Sequence, residues 1–331
     1  MRMKMHFMIP KVLLMVSVAL FVGACSKVEE MIPIPNTEKW AAKLSAYEVY
    51  EGNWSDLTPT SDFHLLELNA DLFANYAQKQ RLVKLPHGTQ MHSNGNEVPD
   101  FPNGTILVKT FYYFKDNRDA SLGKKVIETR LLIKREGLWN VATYVWNSEQ
   151  TEATLSLDGF DTQIDWINTH GDERSIAYHV PSQTECISCH QLNSEVVPIG
   201  PSLRNLNIEV VRGGSSISQL EHLQSIDLLN TININQISHI PNFYDTNVSL
   251  EERGRAYLDM NCAHCHNPSA WSKPARKRFD FRFEKSIAET GILDEKSKIE
   301  EVMREGEMPY LGTTILHEEG LDLIVEYLES L

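Results

Sequence analysis

The chain has 331 residues, 42% of them hydrophobic and 23% charged, with a formal net charge of −14 at pH 7. This is the composition of a folded protein with room for two domains, and it excludes a chain that is disordered throughout. The acidic balance repels nucleic acid and anionic membrane surface, so both classes of basic-patch binding are excluded.

The first 24 residues differ from the rest. Arg2, Lys4 and Lys11 precede the apolar run Val12 to Val22, too short for a mature membrane span but suited to the core of a signal peptide. The run ends in Val22-Gly23-Ala24-Cys25, which resembles a bacterial lipoprotein cleavage box, small residues before the cysteine that becomes the lipidated N-terminus. An ordinary cleavage site followed by an incidental cysteine is the competing reading. Residues 1–24 are therefore expected to be a lipoprotein signal peptide with Cys25 as the lipidation site. Residues 25–39 are expected to be a tether, since Pro33, Pro35 and Asn36 discourage regular structure. Loss of three cations from the 31 Lys+Arg leaves 28 against 45 Asp+Glu, a charge of −17, so a lipid would have to hold the protein at the bilayer. That implies the bacterial cell envelope, and Ser26 is compatible with the outer membrane, facing periplasm or surface. The Asn-x-Ser/Thr triplets at Asn53, Asn103 and Asn247 carry no weight in such a protein.

Residues 40–180 read as a β-rich domain. Strand signals occur at Gly104 to Phe114, Val126 to Arg135, Leu138 to Trp146 and Ala153 to Leu157, separated by short turns containing Asn117, Gly123, Glu136-Gly137 and Asn147. Turns this short join antiparallel neighbours, which predicts a sandwich or a strongly bent sheet.

Beyond Pro181 the pattern changes to glycine- and proline-punctuated loops between short helical stretches. Two pentapeptides stand out there, Cys186-Ile187-Ser188-Cys189-His190 and Cys262-Ala263-His264-Cys265-His266. Two cysteines three apart and followed at once by histidine make a covalent haem site. The thiolates add to the haem vinyl groups, and the adjoining histidine is placed beneath the iron. Of the five cysteines, Cys25 belongs to the cleavage box and four to these motifs, so none remains for a disulfide. The alternative for a paired C-x-x-C set is a four-thiolate zinc site, which needs no histidine after each pair and is commonest in reducing compartments. The expectation is two haem c, one in residues 181–248 and one in residues 249–331. Cys186, Cys189, Cys262 and Cys265 are the attachment points, and His190 and His266 the proximal ligands.

Around the second motif, Ser249-Leu250-Glu251-Glu252 is a capping box opening a helix on which Gly254, Leu258 and Cys262 share a face. Leu321, Ile324, Val325 and Leu328, with Tyr327 beside them, form the buried stripe of a closing helix. A glycine facing such a stripe lets two helices cross closely.

Gly254-x-x-x-Leu258-x-x-x-Cys262-x-x-Cys265-His266, the later Met308-Pro309 and the closing helix with Tyr327-Leu328 together resemble a class I cytochrome c domain. More specifically, the chain resembles a family of bacterial di-haem c-type cytochromes over nearly everything after the tether. That resemblance is carried by Glu67-Leu68-Asn69-Ala70-Asp71-Leu72-Phe73, Phe101 to Thr105, Ile127 to Leu132, Tyr144 to Asn147, Pro198 to Pro201 and Arg255 to Leu258. Phe101 to Thr105 and the strand after it are also faintly similar to the β-rich cytochrome P460 proteins, but no C-x-x-C-H lies there and no haem is assigned to it. The expected fold class is α+β, an N-terminal antiparallel β-rich domain followed by a mainly α-helical cytochrome c-like di-haem region.

The resemblance makes Met308 the distal ligand of the second iron, a soft thioether that favours ferrous iron and a comparatively high potential. Met303 is its rival, in a helical segment where methionine is usually core. His264, held between two thioethers, is expected to face solvent. For the first iron the distal candidates are His222, preferred, with His239 and His179 behind it. Arg204 and the run Lys273, Arg276, Lys277, Arg278 and Arg282 are candidates to offset haem propionates or to dock a partner, with a solvated face as the alternative. The resulting expectation is a membrane-anchored electron carrier between redox partner proteins, with the β domain positioning it on one of them. The rival is an enzyme, a di-haem peroxidase or an oxidoreductase with an open first haem. No Gly-rich nucleotide loop, zinc-protease helix or nucleophile elbow supports it.

Overall fold

Segments rich in apolar and β-branched residues build a six-stranded antiparallel meander in which each strand lies beside its sequence neighbour. Its strands are β1 (His64–Leu65), β2 (Gln78–Lys84), β3 (Ile106–Phe114), β4 (Lys124–Arg135), β5 (Leu138–Trp146) and β6 (Ala153–Ser156). The computed structural model describes residues 40–270 and 278–331. The expected signal peptide, Cys25, the tether, and Lys273, Arg276 and Lys277 lie outside the described residues. The β4–β5 turn is Glu136-Gly137, both at positive φ (53° and 82°), the two-residue hairpin whose twist matches the strands it joins.

One face of the sheet, including Leu82, Val108, Leu131, Ala142 and Tyr144, buries against Trp40, Leu44, Val49, Tyr50 and Phe63. On the other face, Phe111, Tyr113 and Ile127 pack beneath a separate hairpin, β7 (Phe160–Ile167) and β8 (Glu173–Val180), through Ile164, Trp166, Ile176 and Tyr178. The β-rich reading of this region therefore holds. A two-sheet sandwich does not, because a lone hairpin and not a second sheet covers this face.

After Pro181 the chain forms α1 (Gln183–His190), β9 (Gln191–Leu192) and β10 (Glu195–Val196), α2 (Leu203–Leu206), β11 (Glu209–Arg212) and β12 (Ser215–Ser218), and α3 (Gln219–Ser225). The helices α4 (Leu250–Asn261), α5 (Ile292–Arg304) and α6 (Glu318–Ser330) complete it. Half of the capping box read from Ser249 is present: its hydroxyl accepts the Glu252 amide at 3.3 Å, while the Glu252 side chain accepts from that hydroxyl at 2.6 Å and not from the Ser249 backbone amide. Helices α4 and α6 cross through reciprocal glycine–tyrosine contacts. Gly254 lies under the Tyr327 ring and Gly320 under Tyr257, so close that a Cβ at Gly254 would stand 2.6 Å from Tyr327 Cγ.

The described residues form one compact unit. Within it the stretch Glu67 to Phe73 ties sheet to helices without being a paired strand. Its amides are taken by side-chain oxygens: Glu67 N–H by Gln219 at 2.8 Å, Ala70 N–H by Asn205 at 2.9 Å and Phe73 N–H by Asn261 at 2.7 Å. Buried backbone needs partners, and here the amides of α2, α3 and α4 supply them.

Candidate functional site

The first C-x-x-C-H lies on α1, which Pro181 and Ser182 start abruptly at the end of β8. Ser182 and Glu185 form a reciprocal capping box, fixing the helix start. The helix is pinned to β5 where Gln183 Nε2 donates to Val141 O at 2.8 Å and Cys186 Sγ lies 3.9 Å from Thr143 Oγ1. Its last residue is His190. The β9–β10 hairpin folds Val197 back so that its amide donates to His190 O at 2.8 Å, while its carbonyl oxygen lies 2.7 Å from His190 Nδ1. A carbonyl only accepts, so the proton sits on Nδ1 and the Nε2 lone pair is left for another partner. Burial pulls the His190 pKa down to about 3, assisted by Lys109 and Arg130, so this imidazole stays neutral.

Cys186, Cys189 and His190 form one wall of a cavity of about 1250 Å³, counting its open mouth. Opposite walls come from the sheet face (Leu107, Lys109, Phe111, Arg130, Leu132), from Leu66 to Ala74, and from Pro309 to Thr313 after α5. Burial raises the Cys186 thiol to about 11. A thiol held protonated in this way is a poor nucleophile at neutral pH, which argues against a cysteine hydrolase.

The second motif closes α4. Cys262 caps the helix with its amide on Leu258 O at 2.9 Å, and His266 N–H returns to Cys262 O at 2.9 Å. Phe281 N–H holds His266 O at 3.0 Å, and the rings of Phe279 and Phe281 stand 5.5 and 5.3 Å from the imidazole. Burial lowers His266 to about 4 and raises the Cys262 thiol to about 12. His266 Nδ1 is buried with no partner, unlike its counterpart on His190.

The two motifs are neighbours in space. Leu192, just after α1, forms an antiparallel bridge with Ala270, and Asn193 N–H donates to Ser269 O at 2.9 Å. The Cys189 and Cys265 thiols face each other, raising the pKa of the first and lowering that of the second.

His264 departs from its expected orientation. It lines the cavity of the first motif, touches Cys189, and carries a buried Nδ1 with no partner, so it does not face solvent. The reason is the pairing of the two motif peptides, which covers this side chain. His222 lies on α3, partly buried and within electrostatic reach of His64, and is not among the cavity-lining residues. His239 is exposed, and His179 is bonded to Asp161 and Glu185.

Met303 is 8% exposed in the helical core, whereas Met308 is 36% exposed on the loop whose continuation, Pro309 to Thr313, lines the first cavity. Arg204 is committed to Glu284 at 2.9 Å and Asp259 at 3.5 Å, and the described part of the basic run is paired as well, Arg278 with Glu295 and Arg282 with Asp280. Among the described residues, no group of three or more His, Cys, Asp or Glu side chains has the geometry to hold a metal ion, so the four motif thiols do not converge as a zinc site requires.

Three cations, Arg81, Lys109 and Arg130, form part of the cavity wall and were not anticipated. The available signal was Lys109, the lone cation in the otherwise apolar and aromatic-rich strand Ile106–Phe114. The chain matches no family model, no curated protein and no solved structure in comparisons with each.

Proposed function

We propose that the chain is an exported, lipid-anchored di-haem c-type cytochrome that passes single electrons between a redox enzyme and an acceptor. The observation that carries this reading is the adjacency of the two C-x-x-C-H peptides, joined through Leu192–Ala270 and Asn193–Ser269. Adjacent one-electron centres relay charge, whereas a scaffold with unrelated cysteine pairs has no need to bring them together.

The residues present fit the group. At the first motif, two thiols and a neutral imidazole with a free Nε2 share the wall of a largely apolar cavity. Each haem, when bound, supplies a one-electron ferric/ferrous couple. Val197 fixes the tautomer and orientation of His190, which makes Nε2 the ligand. Phe279 and Phe281 shield His266 from water. The Gly254–Tyr327 crossing of α4 and α6 supports a cytochrome c-like arrangement for residues 249–331 and sets the direction in which Cys262 leaves its helix.

Met308 is the proposed distal ligand of the second iron. A second assignment has a specific observation behind it, since Pro309 to Thr313 line the cavity beside His190, and this favours the first iron. His222 is retained as the other distal candidate for the first iron. Pyridine haemochrome and low-temperature EPR on the mature protein should give two c-type haems, both low spin. In Met308→Ala one should lose its methionine signature, and combining this variant with His190→Ala identifies which. A high-spin resting haem with peroxide turnover would favour the di-haem peroxidase, and one bound zinc without a Soret band would exclude both.

A further inference from the structure

The register of the sheet puts like charges side by side. Arg81 of β2 is opposite Lys109 of β3, Lys109 is opposite Arg130 of β4, and Arg130 is opposite Thr143 of β5. Directly opposed residues stand about 5 Å apart at Cβ, and like charges so placed repel. All three cations line the cavity at Cys186, Cys189 and His190, and the row ends on Thr143, the residue against which Cys186 packs.

Their counter-ions are incomplete. Arg81 and Lys79 share Asp71, and Arg130 makes a two-point pair with Glu128, whose other contact is the Tyr178 hydroxyl at 2.7 Å. Lys109 has no carboxylate partner among the described residues, and its ammonium stands 5.1 Å from the centre of the Phe111 ring. Four cations thus face two anions. The one acid among the lining residues, Glu185, is engaged by His179 and Ser182. Only Arg81, Lys109 and Arg130 of these four line the cavity, and burial beside its neighbouring cations pushes the Lys109 pKa well down, so a bound anion is what would hold all three charged.

We propose that the Arg81–Lys109–Arg130 row binds the two propionate carboxylates of the haem attached at Cys186 and Cys189, so that the β sheet forms part of the first haem site and sets its potential. This rests on the di-haem reading above. Haem carries its vinyl-derived attachments and its propionates on opposite edges of the macrocycle. Lys109 lies two strand spacings, about 10 Å, from the Thr143 column where the attachment edge is held. Lys109 is the central contact, because it alone of the three makes no ion pair among the described residues, Asp71 acting on it only at longer range. A positive charge there favours the ferrous state, in which the haem carries one positive charge fewer.

The test is Lys109→Gln in the exported, haem-loaded protein, read by haemochrome stoichiometry and a spectroelectrochemical titration. The expected result is two haems retained, with the ferrous/ferric ratio of the first falling about tenfold at fixed potential, equivalent to roughly 59 mV for one electron. In a Cys186→Ala/Cys189→Ala background the same substitution should raise thermal stability, since it then only relieves repulsion, whereas in the haem-loaded chain it should lower it. Two haems with unchanged potentials and no such reversal would overturn this proposal while leaving the cytochrome reading intact. Succinate that shifts the wild-type titration, but not that of Lys109→Gln, would assign the row to a free dicarboxylate and overturn it likewise. A wild-type chain without haem on Cys186 and Cys189 would overturn both readings.

Discussion

Substituting Gly254 by alanine tests the close crossing of α4 and α6. The added Cβ would stand 2.6 Å from Tyr327 Cγ, 2.7 Å from Cδ1 and 3.0 Å from Cβ, where carbon atoms normally keep about 3.5–4.0 Å. Tyr327 is fully buried, and the clash falls at the root of its ring, which cannot swing aside as a flexible tip would. Overpacking costs about 1–3 kcal/mol, a contact of 2.6 Å belongs to the upper part of that range, about 2–3 kcal/mol, and alanine returns about 1 kcal/mol of helix propensity, so the net loss is about 1–2 kcal/mol. For a chain of this size that lowers Tm by roughly 3–6 °C, measurable by far-ultraviolet circular dichroism and by urea unfolding at unchanged m-value. In a Tyr327→Ala background the clash is gone, and the same Gly254→Ala change should stabilise by about 1 kcal/mol. A Gly254→Ala protein at least as stable as the wild type, or the same loss in both backgrounds, would refute the argument that close approach selects glycine here.

Asn205 is 1% exposed and serves Ala70 N–H, Ala70 O and Gly200 O at 2.9, 3.0 and 3.1 Å. Asn205→Ala strands these backbone groups and should cost about 2–4 kcal/mol by urea unfolding, and a loss under about 1 kcal/mol would show that water replaces the amide. His317, 4% exposed, stacks on Phe73 and is hydrogen-bonded to Tyr244 and Tyr257, and burial lowers its pKa from 6.5 to about 4. The unfolded chain therefore binds more protons between those values. The contribution of His317 is present above pH 6.5 and is lost as pH falls towards 4, where the loss reaches about 3 kcal/mol. The stability difference between wild type and His317→Gln should narrow accordingly from pH 7 to pH 4, and a constant difference would contradict the neutral, buried imidazole.

Local chemistry was enough to find the strands at 106–114, 124–135, 138–146 and 153–156, because they are rich in β-branched, aliphatic and aromatic residues and are bounded by turn residues. The helix at Ser249 was legible from its capping box, and the Gly254–Tyr327 contact from residue spacing. Strand β2 was not, since Gln78 to Lys84 carries Lys79 and Arg81 at alternate positions and has no apolar period. The hairpin β7–β8 was missed for a similar reason, as Asp161, Asp165 and Ser175 dilute the pattern on its outer face.

What the sequence determined by itself are the two C-x-x-C-H motifs and the haem attachment proposed for them, because that pattern depends only on residues at most four apart. Only the tertiary structure decided their surroundings. It pairs Leu192 with Ala270, so that His264 turns into the first cavity. It sets the register Arg81–Lys109–Arg130, which gathers three cations from three strands whose outer two are about forty residues apart in sequence. It also brings Pro309 to Thr313 to the same cavity while leaving His222 beside His64. Such contacts are fixed by how strands pair and helices cross, and a one-residue slip in register would turn each of those cations to the opposite face.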